Sequence, residues 1–189
     1  MDLHTALADA AGLAAGTVVL VEGDSDRRAI EAVARRQGHT LAGVAVVPMG
    51  GVTNLRHFLD LFAGRRITGL YDAGEEEYVR RVLSTPGADL SPAGIARLGF
   101  HACRADLEDE LIRALGTARV EQLVEAAGDL RSLRRFQQQP AQQGRPLAGQ
   151  LHRFIGTRSG RKSQYATLLA DALDPARTPA PLDRLLTLL

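Results

Sequence analysis

The chain has 189 residues, which is enough for one ordinary domain, or for one domain with a small appendage, and for a buried core. Cys103 is its single cysteine, which excludes a disulfide framework, and neither a secretory leader nor an apolar run long enough to cross a membrane is visible. We therefore expect a cytoplasmic protein with no membrane partner, while the formal net charge of +1 does not by itself identify a partner.

The first part of the chain alternates short apolar, β-branched runs with amphipathic helical segments. A leading helix is predicted at residues 3–14 and is followed by a buried strand at 17–21. Further strands are predicted at 43–47, 67–71 and 100–103, helices at 24–37, 54–62, 75–83 and from 106, and a loop containing a turn at 87–96. Four strand–helix alternations predict the α/β class, with a Rossmann-like parallel sheet of about four strands flanked by helices.

From residue 117 onward the pattern is entirely helical. Apolar-faced helices are predicted near 151–155, 165–173 and 182–189, after a Gln-, Pro- and Gly-rich break at 137–149 that is typical of a mobile loop. We divide the chain into a leading helix at 1–15, an α/β core at 16–116 and a helical extension at 117–189. The extension would carry a flexible basic loop and complete the site.

Charge is distributed unevenly along the chain. Residues 130–170 contain no Asp or Glu but seven arginines and Lys162, which leaves 15 basic and 22 acidic residues elsewhere. An acidic body with a basic segment predicts metal ions on the former and nucleic acid on the latter. The candidate nucleic-acid contacts are Arg145, Arg153, Arg158 and Arg161. A solvated, arginine-rich helical surface remains the alternative.

Acidic residues fall where the predicted strands end. Glu22 closes the first strand, Asp26 lies in the first helical turn, Asp72 closes the third strand, and Asp106 and Glu108 follow the fourth. Helix capping alone explains acids at the start of a helix. It does not explain Glu22 and Asp72, which terminate apolar strands. Since ligands bind at the carboxyl ends of parallel strands, this pattern predicts a site for a hard divalent cation such as Mg²⁺.

Several short motifs occur in a fixed order along the chain. They are Val-Leu-Val-Glu-Gly-Asp-Ser-Asp at 19–26, Met-Gly-Gly at 49–51, Leu-Tyr-Asp-Ala-Gly at 70–74 and Asp-Leu-Glu-Asp-Glu-Leu at 106–111. Their combination resembles the TOPRIM domain of OLD (overcoming lysogenization defect) family nucleases, over roughly residues 15–175. The resemblance implies an Mg²⁺-dependent (or Mn²⁺-dependent) endonuclease that hydrolyses phosphodiester bonds in DNA.

The resemblance also implies residue roles. Glu22 and Asp26 would hold one metal ion, and Asp72 and Glu108 would hold a second. Lys162, the only lysine beside 22 arginines, matches a functional lysine of the OLD nucleases and would act with Glu22 and Asp72 in catalysis. This chain departs from the Asp-x-Asp motif because its second Asp is Gly74, so the adjacent Glu75 is a further candidate ligand.

Other functions are compatible with parts of the pattern. OLD nucleases usually carry an ATPase domain, and this chain has no strand-linked P-loop, so a separate ATPase partner is one prediction and a non-catalytic TOPRIM module that binds metal or DNA is another. A response-regulator receiver domain, with Asp72 as phosphoacceptor, is the third, although Lys162 then lacks the fifth strand that should precede it. The sequence does not separate DNA from RNA.

Overall fold

The computed structural model describes residues 15–157 and 160–189. The predicted leading helix at 3–14 and the candidate contact Arg158 lie outside the described residues. Within this part of the chain no helix is both long enough and apolar enough to span a bilayer.

Four parallel strands form one sheet. Their bounds are β1 Thr17–Val21, β2 Val44–Pro48, β3 Arg66–Asp72 and β4 Phe100–Cys103, and their order in the sheet is β2-β1-β3-β4. Every neighbouring pair is parallel, so all four carboxyl ends lie at one edge of the sheet. The predicted fold class is confirmed, including its helical C-terminal part.

Ten α-helices surround and extend the sheet in the described residues. Their bounds are α1 Asp24–Arg36, α2 Leu55–Leu61, α3 Glu76–Val82, α4 Pro92–Arg97, α5 Leu107–Leu115, α6 Thr117–Ala126, α7 Leu130–Gln137, α8 Leu147–Ile155, α9 Arg161–Ala172 and α10 Ala180–Thr187.

The two faces of the sheet bury separate apolar layers. In β1, Val18 and Leu20 pack with α2, α3 and α4, whereas Val19 and Val21 pack with α1 and with α5 to α10. Because both faces of β1 are covered, side chains on both faces must be apolar, and this explains the uninterrupted apolar sequence from Val18 to Val21. The second layer is the larger and includes every helix of the extension, so those helices share one core with α1 and α5.

Helix α9 packs extensively against α1, and this contact joins the extension to the α/β part. The N-terminus of α9 is further held by Arg161, whose guanidinium donates to the Phe154 carbonyl and lies over the Phe154 ring at 4.1 Å. Arg161 also pairs with Asp129, which accepts a hydrogen bond from Tyr165. These contacts position the residue that follows Arg161, which is Lys162.

Two predicted loops are more structured than expected. Residues 92–97, predicted as part of a loop, form α4, because Ser91 caps it by accepting the Gly94 amide and Pro92 supplies a preset first-turn φ. The predicted flexible break at 137–149 shrinks to a short connection between α7 and α8. The Gln150 side-chain amide holds this connection by donating to the carbonyls of Gln142 and Arg145.

Candidate functional site

Glu22 and Asp26 lie at the carboxyl end of β1. Glu22 is the first residue after the strand, and Asp26 is buried in the first turn of α1, where its Oδ2 accepts the Gly23 amide at 2.8 Å. Burial raises the pKa of Asp26 to about 7, with a further contribution from the nearby Glu108 carboxylate. The Lys162 ammonium lowers this pKa only in part, so the charge of Asp26 is incompletely compensated.

Asp72 occupies the equivalent place at the end of β3. Burial, followed by the charges of Glu22 and Asp106, raises the pKa of its carboxyl group to about 7. Glu75 lies one short turn further on, and its Oε2 is buried without a hydrogen-bond partner in the described structure. Burial and Glu22 also raise the pKa of Glu75. The Glu75 carboxylate therefore lies near Glu22, in the region where Gly74 supplies no carboxylate.

Glu108 comes from the first turn of α5 and is the most buried of these acids, with 2% of its surface exposed. Neither of its carboxylate oxygens completes a well-aligned hydrogen bond with a described residue. Its nearest cation is the Lys162 ammonium, with 3.2 Å between Nζ and Oε2. Burial raises the pKa of Glu108, and Lys162 only partly opposes that effect. The carboxylate is thus short of hydrogen-bond and charge partners.

Lys162, in the first turn of α9, lies where two clefts meet. One, of about 470 Å³, is lined by Glu108 and Lys162 together with residues of α7 and α8. The other, of about 380 Å³, is lined by Lys162, by residues 22–26 at the start of α1, and by Gly50 and Gly51. Burial lowers the pKa of Lys162, but Glu108 and Asp26 outweigh it and keep the ammonium charged. The lone lysine therefore borders both halves of the site.

The carboxylates do not yet form a closed metal site. Among residues 15–157 and 160–189, no three Asp, Glu, His or Cys side chains are arranged closely enough to hold one ion. The donor set nevertheless fits a hard divalent cation, since it offers only carboxylate oxygens, and several of those are buried and unpartnered. Side-chain movement would have to accompany the binding of an ion.

The first part of the chain is similar in sequence to a known protein family. Residues 13–70 match the family model of the "Overcoming lysogenization defect protein-like, TOPRIM domain". This segment is therefore similar to an OLD-like TOPRIM domain. TOPRIM domains generally bind divalent metal ions and occur in nucleases and primases. No curated protein matches the chain.

Solved structures resemble the whole described fold. The C-terminal region of the Burkholderia pseudomallei OLD protein matches with a TM-score of 0.69 and 21% identity, covering 92% of this chain and 96% of that one. The C-terminal region of the Xanthomonas campestris pv. campestris OLD protein matches with a TM-score of 0.67 and 23% identity, covering 92% and 93%. The likeness thus includes the helical extension as well as the TOPRIM sheet.

The basic segment at 130–170 lies beside the strand-end acids, but its arginines differ in exposure. Arg145 and Arg153 are exposed, and Arg153 lines the same cleft as Glu108 and Lys162. Arg161 was predicted to contact nucleic acid, but only 6% of this residue is exposed and its guanidinium is engaged by Phe154 and Asp129. Its role is to hold the start of α9.

One histidine–carboxylate pair near the strand-end acids was not predicted. His152 of α8 contacts Asp106, with 2.6 Å between Nε2 and Oδ2. Burial tends to raise the pKa of Asp106, but the hydrogen bond with His152 and the Asp109 amide bring it below its usual value. Conversely, the Asp106 hydrogen bond raises the pKa of His152. Asp106 had been noted as a strand-end acid, whereas nothing in the local sequence marks His152.

Proposed function

We propose that this chain is a divalent-metal-dependent nuclease, which binds Mg²⁺ or Mn²⁺, as two ions, and hydrolyses phosphodiester bonds in DNA. The observation that carries the proposal is the buried carboxylate of Glu108, whose charge is only partly compensated by Lys162 and which lies near Asp26, a buried acid whose pKa is also raised. A protein that leaves carboxylates so poorly compensated loses stability unless a cation binds there.

The five candidate ligands can be grouped by which acids raise the pKa of each. Among the other acids, Glu108 raises the pKa of Asp26 more than Glu22 does. Glu22 raises the pKa of Glu75, and the pKa of Asp72 is raised by Glu22, Asp106, Asp26 and Glu75, in decreasing order. We assign Asp26 and Glu108 to one ion on this basis, and Asp72 and Glu75 to the other because both lie where β3 ends, with Glu22 between the two pairs. This replaces the pairing of Asp72 with Glu108 that the resemblance implied.

Bound metal would supply an activated water and charge stabilisation at the phosphate. The chain itself supplies Lys162, whose ammonium borders both clefts and can offset the charge that grows on the phosphate oxygens. Arg145 and Arg153 lie on the exposed face of the extension and would hold the nucleic-acid backbone without reading bases. A separate ATPase subunit is the partner that the OLD resemblance suggests.

The test measures metal binding and cleavage on the same preparations. With EDTA removed, millimolar Mg²⁺ should raise the melting temperature of the parent and support nicking of plasmid DNA. A Glu22→Gln/Asp72→Asn variant should lose both effects. Glu77→Gln is a matched control, since Glu77 lies close in sequence but its side chain is 85% exposed. An unchanged melting temperature in the parent, or equal metal shifts in parent and double variant, would refute metal binding at these acids.

A non-catalytic TOPRIM module is the second candidate. It is favoured by Gly74, which supplies no carboxylate, and by the lack of three converging ligands in the described residues. Such a module would show the metal-dependent melting shift and salt-sensitive DNA binding, yet no cleavage with or without an ATPase partner. The receiver alternative has less support, because Lys162 pairs with Glu108 and lies on a helix of the extension.

A further inference from the structure

The contact between His152 and Asp106 fixes an imidazole beside the proposed site. Asp106 uses both carboxylate oxygens, because Oδ1 accepts the Asp109 amide at 2.8 Å while Oδ2 lies 2.6 Å from His152 Nε2. The first bond caps α5 and the second reaches across to α8, 46 residues away in sequence. Asp106 therefore holds the His152 ring in one orientation and is not a free metal ligand.

A tie between two helices would explain a buried histidine, but His152 is only partly buried. Its side chain keeps 35% of its surface exposed and lines the cleft of about 470 Å³ together with Glu108 and Lys162. In the described part of the chain its second ring nitrogen, Nδ1, makes no hydrogen bond. A carboxylate on one nitrogen and an open cleft beside the ring is an arrangement suited to proton transfer.

The geometry points to His152 as the proton donor to the leaving-group oxygen of the phosphodiester, with Asp106 as its positioning residue. The inference rests on the proposed nuclease function. As the water oxygen bonds to phosphorus, the bond from phosphorus to the leaving oxygen breaks and its electron pair stays on that oxygen. This oxygen takes the proton from Nδ1, the attacking water releases its own proton to solvent, and solvent reprotonates the imidazole.

The charges around His152 suit this role. The Asp106 hydrogen bond raises the pKa of His152, burial opposes it, and Glu108 and Asp109 act in the same direction as Asp106. The cations that line the same cleft are Arg153 and Lys162. An imidazolium held there is a donor near neutral pH and also adds positive charge where a phosphate would lie.

The first experiment compares two leaving groups in single-turnover cleavage. One substrate is a dinucleotide with its ordinary alkoxide leaving group, and the other is the same nucleotide as a p-nitrophenyl phosphodiester, whose leaving group needs no proton. His152→Ala should slow the dinucleotide on the order of 100-fold and leave the nitrophenyl ester nearly unchanged. His57→Ala, which removes an exposed histidine of α2, should change neither rate.

The second variant tests the positioning role of Asp106. Asp106→Asn keeps an N-cap side chain for α5 but removes the charge that acts on His152. It should therefore lower the pKa of His152 in an ¹⁵N-histidine NMR titration and slow the dinucleotide selectively. A loss confined to stability, with the His152 resonances and the rate ratio unchanged, would show that the pair is only a tie between helices.

The outcomes separate the two proposals. Suppose that the parent cleaves, and that His152→Ala either cleaves both substrates at the parent rates or loses activity equally on both substrates at an unchanged melting temperature. The donor role is then refuted, and the nuclease function stands. If the parent cleaves neither substrate with Mg²⁺ or Mn²⁺, the proposed function fails and the donor role fails with it.

Discussion

Replacing Asp26 by asparagine should make the metal-free protein more stable, which is the opposite of the usual effect of altering a buried polar residue. In the native state the pKa of Asp26 is about 7, against an ordinary value of 3.8. At one pKa unit per ~1.4 kcal/mol, ionising this carboxyl above pH 7 costs the native state about 4 kcal/mol. An asparagine side chain at this position would keep an oxygen for the Gly23 amide without that cost.

The expected gain is smaller than the full cost. The asparagine amide also brings two N–H donors into a buried position, and donors that find no partner there take back part of the benefit. We expect Asp26→Asn to raise the free energy of unfolding at pH 8 by ~1–3 kcal/mol, which corresponds to a melting temperature higher by several degrees for a chain of this size.

The pH dependence follows from the sign of the shift. Below pH 4 the carboxyl is protonated in both folded and unfolded states, so the gain should vanish; it should grow between pH 4 and 7 and stay constant above pH 7. Urea unfolding in EDTA at pH 4, 6 and 8 measures it. Asp24→Asn is the matched control and should lower stability at pH 8. Burial raises the pKa of Asp24, but Arg28 and Arg27 lower it by more, so its ionised form is favoured in the native state. A loss of stability in Asp26→Asn at pH 8, or an equal gain at pH 4, would refute the reasoning.

The other predictions concern packing, catalysis and DNA binding. Gly69→Ala should lower the free energy of unfolding in urea by ~2 kcal/mol or more, since the new Cβ would lie 2.5 Å from a backbone oxygen of β1. Gly149→Ala, with open space around it, should be neutral or stabilising, and equal effects of the two substitutions would contradict this reasoning. Lys162→Arg and Lys162→Ala should both lower single-turnover cleavage more than DNA affinity, and parent-like rates would exclude a catalytic lysine. Charge reversal at Arg145 and Arg153 should weaken DNA binding and flatten its salt dependence at an unchanged melting temperature; an unaltered salt slope would indicate a solvated surface.

Much of the α/β part could be predicted because its signals are local. The bounds of β1 and β4 are the same in sequence and structure, and for β1 the reason is that a parallel strand covered on both faces needs an apolar sequence. Acids at strand ends are equally visible, because strand ends in a parallel sheet share one edge. Helix α4 was missed although Ser91 and Pro92 are ordinary start signals, since the glycines and prolines around them favoured a loop.

The features that sequence did not reveal depend on tertiary contacts. His152 meets Asp106 only because α8 packs against α5, and no spacing rule connects residues 46 positions apart. Arg161 was counted with the surface cations, yet it is buried against Phe154 and Asp129. Charge counting treats every arginine as solvated, and it fails where an aromatic ring and a carboxylate supply the partners that water would otherwise supply.

The order of residues along the chain has a consequence for biosynthesis. All five candidate carboxylate ligands lie at or before Glu108, whereas His152 and Lys162 lie in the extension and are translated after them. Because domains generally begin to fold from the N-terminal side during synthesis, the acids emerge from the ribosome before the cations that balance them. A chain interrupted between α5 and α9 would carry an unneutralised, self-repelling cluster and expose the apolar face of α1 that α9 covers. Incomplete products should therefore be unstable and readily degraded, so that a nascent chain has no working site until the extension has docked.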